Sequence, residues 1–286
     1  MTVADIDLRT TRELVELIND ADATVATAVR TVSGALAEAI DAIVARLERG
    51  GRLVYVGAGS SGRLALVDAA ECGPTFGLEP DRVIAIVAGG ATALATAQEA
   101  AEDDADAGAG DVAAAGVSPR DAVVALSASG STPYVLGAAA AARDAGALVV
   151  AVVCAERSEL GGRADREVAI RVGSEVVSGS TRMKAGTAQK LVLNTISTVS
   201  MIRLGRTFGN LMVDVVGSNA KLRSRARNAV ALATGAGTDE VDAALAAAGG
   251  EAKVAIVSLL AGLDADAARA RLDEARGAVR RALEIQ

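Results

Sequence analysis

Three segments rich in serine, threonine and glycine could bind a phosphate group. They span residues 57–63, 127–133 and 178–190, and each leads into a stretch that is predicted to be helical. Hydroxyl groups and backbone N–H groups at the start of a helix donate hydrogen bonds to anions, and the helix dipole adds to the attraction. A capped, solvated helix start is the alternative for any one segment. Three of them in one chain favour the binding of an oxygen-rich anion.

Most candidate binding residues in these segments are neutral. The pattern Ser127-x-Ser129-Gly130-x-Thr132 offers donors that can surround a phosphate dianion without a cation. In the third segment Lys184 adds positive charge close to a helix start. The full set of candidate substrate-binding residues is Gly59, Ser60, Ser61, Ser127, Ser129, Gly130, Ser131, Thr132, Ser180 and Lys184.

The first segment also has the G-x-G-x-x-G spacing of a dinucleotide-binding loop. Such a loop requires an acidic residue at the end of the second strand, where it binds the ribose hydroxyls. The second predicted strand ends in Val87-Ala88-Gly89-Gly90, which contains no acid. We therefore expect no NAD site, and the hydroxyls of Ser60 and Ser61 indicate a ligand with many oxygen atoms.

The composition restricts the chemistry further. The 286-residue chain has no histidine, so acid–base catalysis would fall to Asp, Glu, Lys, Tyr or Cys. Two cysteines, Cys72 and Cys154, are too few for a zinc site or a disulfide framework. A net charge of -7 and 1% aromatic residues argue against nucleic acid as a partner. No signal peptide or membrane span is evident, so we expect a cytoplasmic protein.

The segments are positioned by an alternation of short apolar strands and helices. Strands are predicted at 52–56, 82–88, 122–126, 148–154 and 168–172, with helices at 64–70, 91–103 and 133–145. Continuously apolar strands joined by helices predict an α/β fold, with a parallel sheet covered by helices on both faces. Ligands bind at the carboxyl ends of such strands, which is where all three segments lie.

Helices are predicted on both sides of this α/β region. Thr10 and Glu13 form a capping box that opens a helix to about residue 19, and an apolar stripe predicts a second helix over 22–49. That stripe could pack in the core or form a dimer interface. Three further helices are predicted near 239–248, 251–260 and 264–275. We predict three parts: N-terminal helices at 1–50, an α/β domain at 51–220 and a C-terminal helical domain at 221–286.

A series of motifs carries a family resemblance. The loop Ser127-x-Ser129-Gly130-x-Thr132 resembles the phosphosugar loop of sugar isomerase (SIS) domains. The chain also resembles the N-acetylmuramic acid 6-phosphate etherase family over nearly its whole length. The motifs that carry this resemblance occur in the same order as in the family. They lie at 57–63, 68–77, 88–90, 102–103, 132–135, 179–190 and 210–214. The resemblance extends more loosely to the glucokinase regulatory protein. The family usually has Pro, Arg and Pro where this chain has Gly73, Ser131 and Ser174.

The resemblance implies cleavage of the D-lactyl ether of N-acetylmuramic acid 6-phosphate to N-acetylglucosamine 6-phosphate and D-lactate during cell-wall recycling. It implies no metal or redox cofactor, and a homodimer. The C2 proton is alpha to the open-chain aldehyde, so a carboxylate can remove it before lactate leaves C3 and water adds there. The matching positions are Glu71, as proton donor to lactate and later base for water, and Glu102, for proton transfer at C2. Which of the two does which stays open.

The residues alone leave alternatives for these groups. Glu102 belongs to an acidic run that is typical of a solvated helix end, whereas the small and apolar neighbours of Glu71 favour its partial burial. Cys72 is interpreted as a small buried residue rather than a reactive thiol. Two other functions are an aldose–ketose phosphosugar isomerase and a non-enzymatic sugar-phosphate sensor. Release of lactate from N-acetylmuramic acid 6-phosphate distinguishes the etherase from both.

Overall fold

The computed structural model describes residues 5–94, 96, 98–214 and 220–285. The chain divides into two compact units. The first consists of Met1–Ala70 with Asp81–Ser197, and the second of Glu71–Pro80 with Thr198–Gln286. The predicted division at residues 50 and 220 stays a prediction.

The first unit is built around five parallel strands, in the order β2-β1-β3-β4-β5. The strands are β1 (Leu53–Gly57), β2 (Val83–Val87), β3 (Ala122–Ser127), β4 (Leu148–Val153) and β5 (Arg166–Ala169). Every residue of β1, β3 and β4 is buried, as their continuous apolar sequences require. The prediction of an α/β fold with a parallel sheet is confirmed.

Helices flank this sheet. They are α1 (Thr11–Ala23), α2 (Val25–Thr31), α3 (Ser33–Leu47), α4 (Gly59–Phe76), α5 (Glu99–Glu102), α6 (Ala105–Ala114), α7 (Pro133–Asp144), α8 (Glu159–Arg163) and α9 (Lys184–Arg203), with 3-10 helices at Ile6–Leu8 and Gly90–Leu94. The last residues of α4 and α9 are assigned to the second unit. Helices α6 and α7 pack against one face of the sheet through a core of valine, alanine and leucine side chains. The first two serine-glycine segments begin at the last residues of β1 and β3, and the third includes the first turns of α9.

The strand register brings two of these segments to the same edge. Gly57 pairs with Leu126, and Ser127 pairs with Val153. The segment after β1 and the segment after β3 therefore leave adjacent strands at their carboxyl ends. This is the edge at which parallel sheets bind ligands.

Three predicted helices differ from the structure. In place of the helix expected over 91–103, the described residues form a 3-10 helix at Gly90–Leu94 and the four-residue α5 at Glu99–Glu102. The helix expected over 22–49 is broken at Val32, where the hydroxyls of Thr31 and Ser33 donate to backbone carbonyls and compete with the regular helical pattern. The helix expected over 64–70 extends as α4 to Phe76, so the predicted end at residue 70 is wrong. Pro74 is accommodated inside this helix, and the chain leaves it at Gly77, where φ is 59°.

The second unit is mainly helical. It contains a short hairpin of β6 (Thr207–Phe208) and β7 (Leu211–Met212), followed by α10 (Ala220–Thr234), α11 (Thr238–Ala247), α12 (Ala252–Ala261), α13 (Ala265–Glu274) and α14 (Val279–Glu284). Its core is formed by alanine, valine, leucine and isoleucine side chains. The C-terminal helices were expected from the sequence, whereas the two-residue strands are too short to give a period-2 pattern. In the described chain no single helix meets the length and hydropathy of a membrane span; α11 and α12 do so only as a pair bent by 116°.

Candidate active site

The first serine-glycine segment lies beneath the carboxylate of Glu102. Helix α4 begins at Gly59, where φ is 50°, a left-handed conformation that glycine adopts readily. A Cβ atom at Gly59 would lie 2.7 Å from Oε1 of Glu102. The carboxylate therefore touches the backbone at the start of α4, and glycine is the residue that leaves room for it.

The surroundings of Glu102 change its acidity. The side chain is half-buried at the end of α5, although the sequence alone favoured a solvated helix end. Burial raises the pKa of this carboxyl, the positive charge of Arg63 opposes that rise, and the negative charges of Asp103 and Glu99 add to it. A carboxylate with a raised pKa is a stronger base than an exposed one.

Ser61 is held by a residue that sequence analysis did not single out. Its Oγ donates to Oε1 of Gln189 at 2.7 Å, and Gln189 is fully buried on α9. Ser60 and Ser61 are both half-buried. A glutamine two residues before the apolar run that starts at Leu191 is the sequence signal that could have identified this contact, because a buried amide needs a polar partner.

The second segment forms a compact loop of hydroxyl groups. Ser127 is buried, and its Oγ lies 2.8 Å from Oγ1 of Thr132 while accepting the backbone N–H of Gly130 at 3.0 Å. Oγ of Ser129 accepts hydrogen bonds from the backbone N–H and the hydroxyl of Ser131, at 3.3 and 3.0 Å. Ser129 and Ser131 are exposed, so the loop presents their hydroxyls to solvent, whereas Ser127 is buried and Thr132 half-buried.

The turn of this loop depends on Gly130. Its φ is 69°, and a Cβ atom there would lie 2.3 Å from Cβ of Ser158. Oγ of Ser158 accepts the N–H of Gly161 and donates to Glu167 on β5. The loop is therefore supported from behind by the start of α8 and by the edge strand.

The third segment is organised around an internal anion. The carboxylate of Glu175 accepts the backbone N–H groups of Lys184 and Ala185, each at 3.0 Å, at the first turn of α9. The ammonium of Lys184 is buried and donates to the carbonyl of Val172 at 2.6 Å. Ser180 is half-buried in the turn before the helix. The N–H groups that were expected to face a phosphate are therefore occupied, because a carboxylate of the chain takes that place.

Glu71 is the one predicted site residue assigned to the second unit. It lies on α4 and is exposed, so the expected partial burial is wrong. Cys72 and Phe76, four residues apart, form the buried face of this part of the helix, and Glu71 projects from a different face. Burial of Cys72 agrees with its interpretation as a small core residue.

The described residues contain no group of three or more His, Cys, Asp or Glu arranged to hold a metal ion. In the first unit the fold combines two hydroxyl-rich loops at one edge of the sheet with a carboxylate of raised pKa beside one of them. Such an arrangement can fix an oxygen-rich ligand and move a proton.

Comparison with known proteins gives these features a context. A family model described as the glucokinase regulatory protein N-terminal SIS domain matches residues 35–143. An N-acetylmuramic acid 6-phosphate etherase of Rubrobacter xylanophilus is 56% identical over 280 residues, covering 98% of this chain and 92% of the relative. An etherase of the same name from Streptomyces avermitilis is 52% identical over 98% of this chain and 90% of its own length.

The fold has solved relatives as well. A phosphoheptose isomerase from Francisella tularensis superposes with a TM-score of 0.53 at 21% identity. The match covers 68% of this chain and the whole of that chain. At this level of identity the likeness establishes the α/β fold of the SIS type.

Proposed function

The chain belongs to the N-acetylmuramic acid 6-phosphate etherase family, and we propose that it cleaves the D-lactyl ether of N-acetylmuramic acid 6-phosphate. The products are N-acetylglucosamine 6-phosphate and D-lactate. The observation that carries the proposal is 56% identity to an etherase of that name over 98% of this chain. The position of the Glu102 carboxylate against the first serine-glycine segment supports it from the geometry.

The reaction needs a base at C2 and an acid at the departing oxygen. Removal of the C2 proton from the open-chain aldehyde leaves an enolate, which expels lactate from C3 and gives an unsaturated aldehyde; water then adds at C3. We assign C2 proton transfer to Glu102, and its raised pKa agrees with the role of a base. Glu71 is assigned protonation of the lactate oxygen and later activation of water. Both assignments come from the family match of these two positions.

The second segment is proposed to hold the 6-phosphate. Ser127, Ser129, Ser131 and Thr132 supply hydroxyls, and the start of α7 supplies the positive end of a helix dipole. Gly130 supports this role because it allows the backbone to turn tightly around a small anion. Because Ser131 stands where the family usually has Arg, the phosphate would be bound by neutral donors in this segment.

The remaining candidates are proposed to contact the sugar. Gly59, Ser60 and Ser61 lie beside the carboxylate that is to act at C2, which favours contacts near the reacting carbons. Ser180 and Lys184 are proposed to contribute from the third segment. The amine of Lys184 donates to a neutral carbonyl, and none of the ion pairs among the described residues involves it, so its charge can act on an anionic ligand.

Two further properties belong to the proposal. We expect a homodimer, which is supported by α1: its apolar residues lie on one side of the helix, yet the helix buries none of its side chains within the chain. We also expect the protein to act in the cytoplasm on sugar phosphate released during cell-wall recycling, without a metal or redox cofactor.

The proposal is tested by incubating the purified protein with N-acetylmuramic acid 6-phosphate and measuring D-lactate. Fructose 6-phosphate is the matched control, because a phosphosugar isomerase would convert it and an etherase would not. Release of one lactate per substrate with no change in fructose 6-phosphate is the expected result. Isomerisation without lactate, or binding without turnover, would contradict the proposal and favour one of the two alternative functions.

A further inference from the structure

Arg63 connects the first serine-glycine segment to the part of the chain that carries Glu102. It lies in α4, four residues after Gly59. Its guanidinium donates from Nε to the carbonyl of Ala93 at 2.9 Å and from Nη2 to the carbonyl of Thr96 at 3.3 Å. Both acceptors lie in the connection between β2 and α5. The side chain therefore fixes this connection to the helix that begins beneath the Glu102 carboxylate.

The described residues of this connection and of α5 form only short helices, which hold Glu102 in place weakly by themselves. Helix α5 is four residues long, and the preceding 3-10 helix at Gly90–Leu94 is five. Single helical turns are not stable by themselves, because nucleation of a helix costs more than one turn recovers. The position of the carboxylate therefore depends on contacts with other elements, namely the two bonds of Arg63, the packing of α5 on α7 and the contact with Gly59.

The positive charge of Arg63 also counteracts the negative charges around Glu102. The carboxyl of Glu102 has a raised pKa because of burial; Arg63 lowers it, and Asp103 and Glu99 of its own segment raise it further. Helix α7, which packs against α5, has no charged residue in its first two turns. The hydroxyl of Tyr134 in α7 donates a hydrogen bond to the carboxylate of Asp111. Of these charged groups, Arg63 is the one that favours the ionised form of the Glu102 carboxyl.

We propose that Arg63 is a positioning residue for Glu102, which fixes the carboxylate against the Gly59 backbone and keeps it ionised where it is half-buried. The inference rests on the proposed role of Glu102 as the base at C2, and it adds a residue that controls that base. Loss of the positive charge would leave more of the carboxyl protonated at a given pH. Loss of the two carbonyl contacts would let the carboxylate move away from the start of α4.

Charge and geometry can be separated by three substitutions. Arg63→Gln and Arg63→Met remove the charge. Arg63→Lys keeps the charge but lacks the planar guanidinium that donates hydrogen bonds to two carbonyls. Arg82→Gln is the matched control, because Arg82 also donates to two backbone carbonyls, those of Gly50 and Leu47, at the amino end of β2. Circular dichroism and thermal midpoints of all variants report whether they fold, and Arg63→Met replaces Arg63→Gln if the latter does not.

The readouts are the pH profile of kcat/KM for lactate release and a carbon-13 NMR titration of the Glu102 carboxyl. The Glu102 signal is assigned by its loss in Glu102→Gln. With the charge removed, we expect both the acidic limb of the profile and the NMR midpoint to move to higher pH, because the carboxyl becomes harder to ionise. In Arg63→Lys the midpoint should stay near that of the parent while kcat falls about tenfold. Arg82→Gln should move neither midpoint.

An unchanged NMR midpoint in the neutral Arg63 variant would overturn the inference, and so would an equal shift in Arg82→Gln. Failure of the proposed function gives a different result: the parent protein would then release no lactate. Failure of the assignment of Glu102 alone would leave Glu102→Gln at the parent rate of lactate release. The NMR titration is independent of catalysis. It therefore decides the relation between Arg63 and Glu102 whichever residue serves as the base.

Discussion

At the scale of single residues, the chemistry of Glu102 is set by a few neighbours. Its carboxylate lies against a glycine, and burial raises its pKa while one arginine limits the rise. A solvated glutamate in the same acidic run would be a weaker base. The type of residue is visible in the sequence, but its environment comes from the fold.

Replacing the two proposed catalytic carboxylates by amides tests their roles directly. We expect Glu71→Gln and Glu102→Gln each to lower the rate of lactate release by about a hundredfold to ten-thousandfold, the range of general acid–base catalysis. Steady-state assays of lactate give the rates. The control is Glu79→Gln, another exposed glutamate of the segment Glu71–Pro80, which should keep the parent rate. A parent rate in Glu71→Gln would refute its role as the acid.

A methyl group at Gly59 should displace the Glu102 carboxylate. The added Cβ would lie 2.7 Å from Oε1 of Glu102, at a backbone φ of 50°. We expect Gly59→Ala to lower kcat by about tenfold or more, because small displacements of a catalytic group cost much of its effect. Gly110→Ala is the control: nothing lies within 4 Å of its Cβ position, and alanine in a helix is favourable. Equal kcat in the two variants would contradict the geometry.

At the scale of elements, the sequence was most informative where apolar patterns are long. It predicted four of the five parallel strands to within one residue at each end and the fifth to within three, because continuous apolar runs between helices leave few other arrangements. It missed the break at Val32, where side-chain hydroxyls compete for carbonyls, and the continuation of α4 through Pro74. It predicted one helix over 91–103, where the described residues form only two short ones. It also expected the start of α9 to face a ligand. The group that accepts these N–H groups is the carboxylate of Glu175, which lies nine residues before the helix. Only the fold brings it to the start of α9.

The cap of α9 gives a prediction about stability rather than binding. Glu175→Gln removes a negative charge that accepts two N–H groups at the positive end of a helix dipole. We expect a loss of about 1–2 kcal/mol in the free energy of unfolding, measured by urea denaturation at pH 7. Glu156→Gln, in an exposed pair with Arg171, should change it by less than about 0.5 kcal/mol. A large rise in KM without loss of stability would show instead that α9 binds substrate at this turn.

At the scale of the whole molecule, the proposed homodimer depends on apolar surface that one chain leaves partly exposed. Helix α1 has Leu14, Leu17 and Ile18 on one side but no buried side chain. The sequence left the apolar stripe of the helix predicted over 22–49 open between core packing and a dimer interface. Residues of α3 such as Ile40 and Ile43 are instead in the core, so the sequence alone could not separate a core stripe from an interface stripe.

A charge on the apolar side of α1 should disrupt the dimer. We expect Ile18→Asp to change the molar mass from that of two chains to that of one, measured by light scattering after size-exclusion chromatography, because an unpaired carboxylate is costly to bury. Asp20→Lys, on the opposite side of the same helix, should stay dimeric. A monomeric parent protein, or an Ile18→Asp variant that stays dimeric, would contradict the role of α1.

The most direct test of the account is isotope labelling of the complete reaction. N-acetylmuramic acid 6-phosphate is turned over in water enriched in deuterium and oxygen-18, and both products are analysed by mass spectrometry and NMR. Elimination followed by addition predicts deuterium at C2 and oxygen-18 on C3 of N-acetylglucosamine 6-phosphate, with D-lactate keeping the original ether oxygen. Oxygen-18 in lactate, with no deuterium at C2, would show cleavage on the lactyl side and would contradict the assignment of Glu102 as the base.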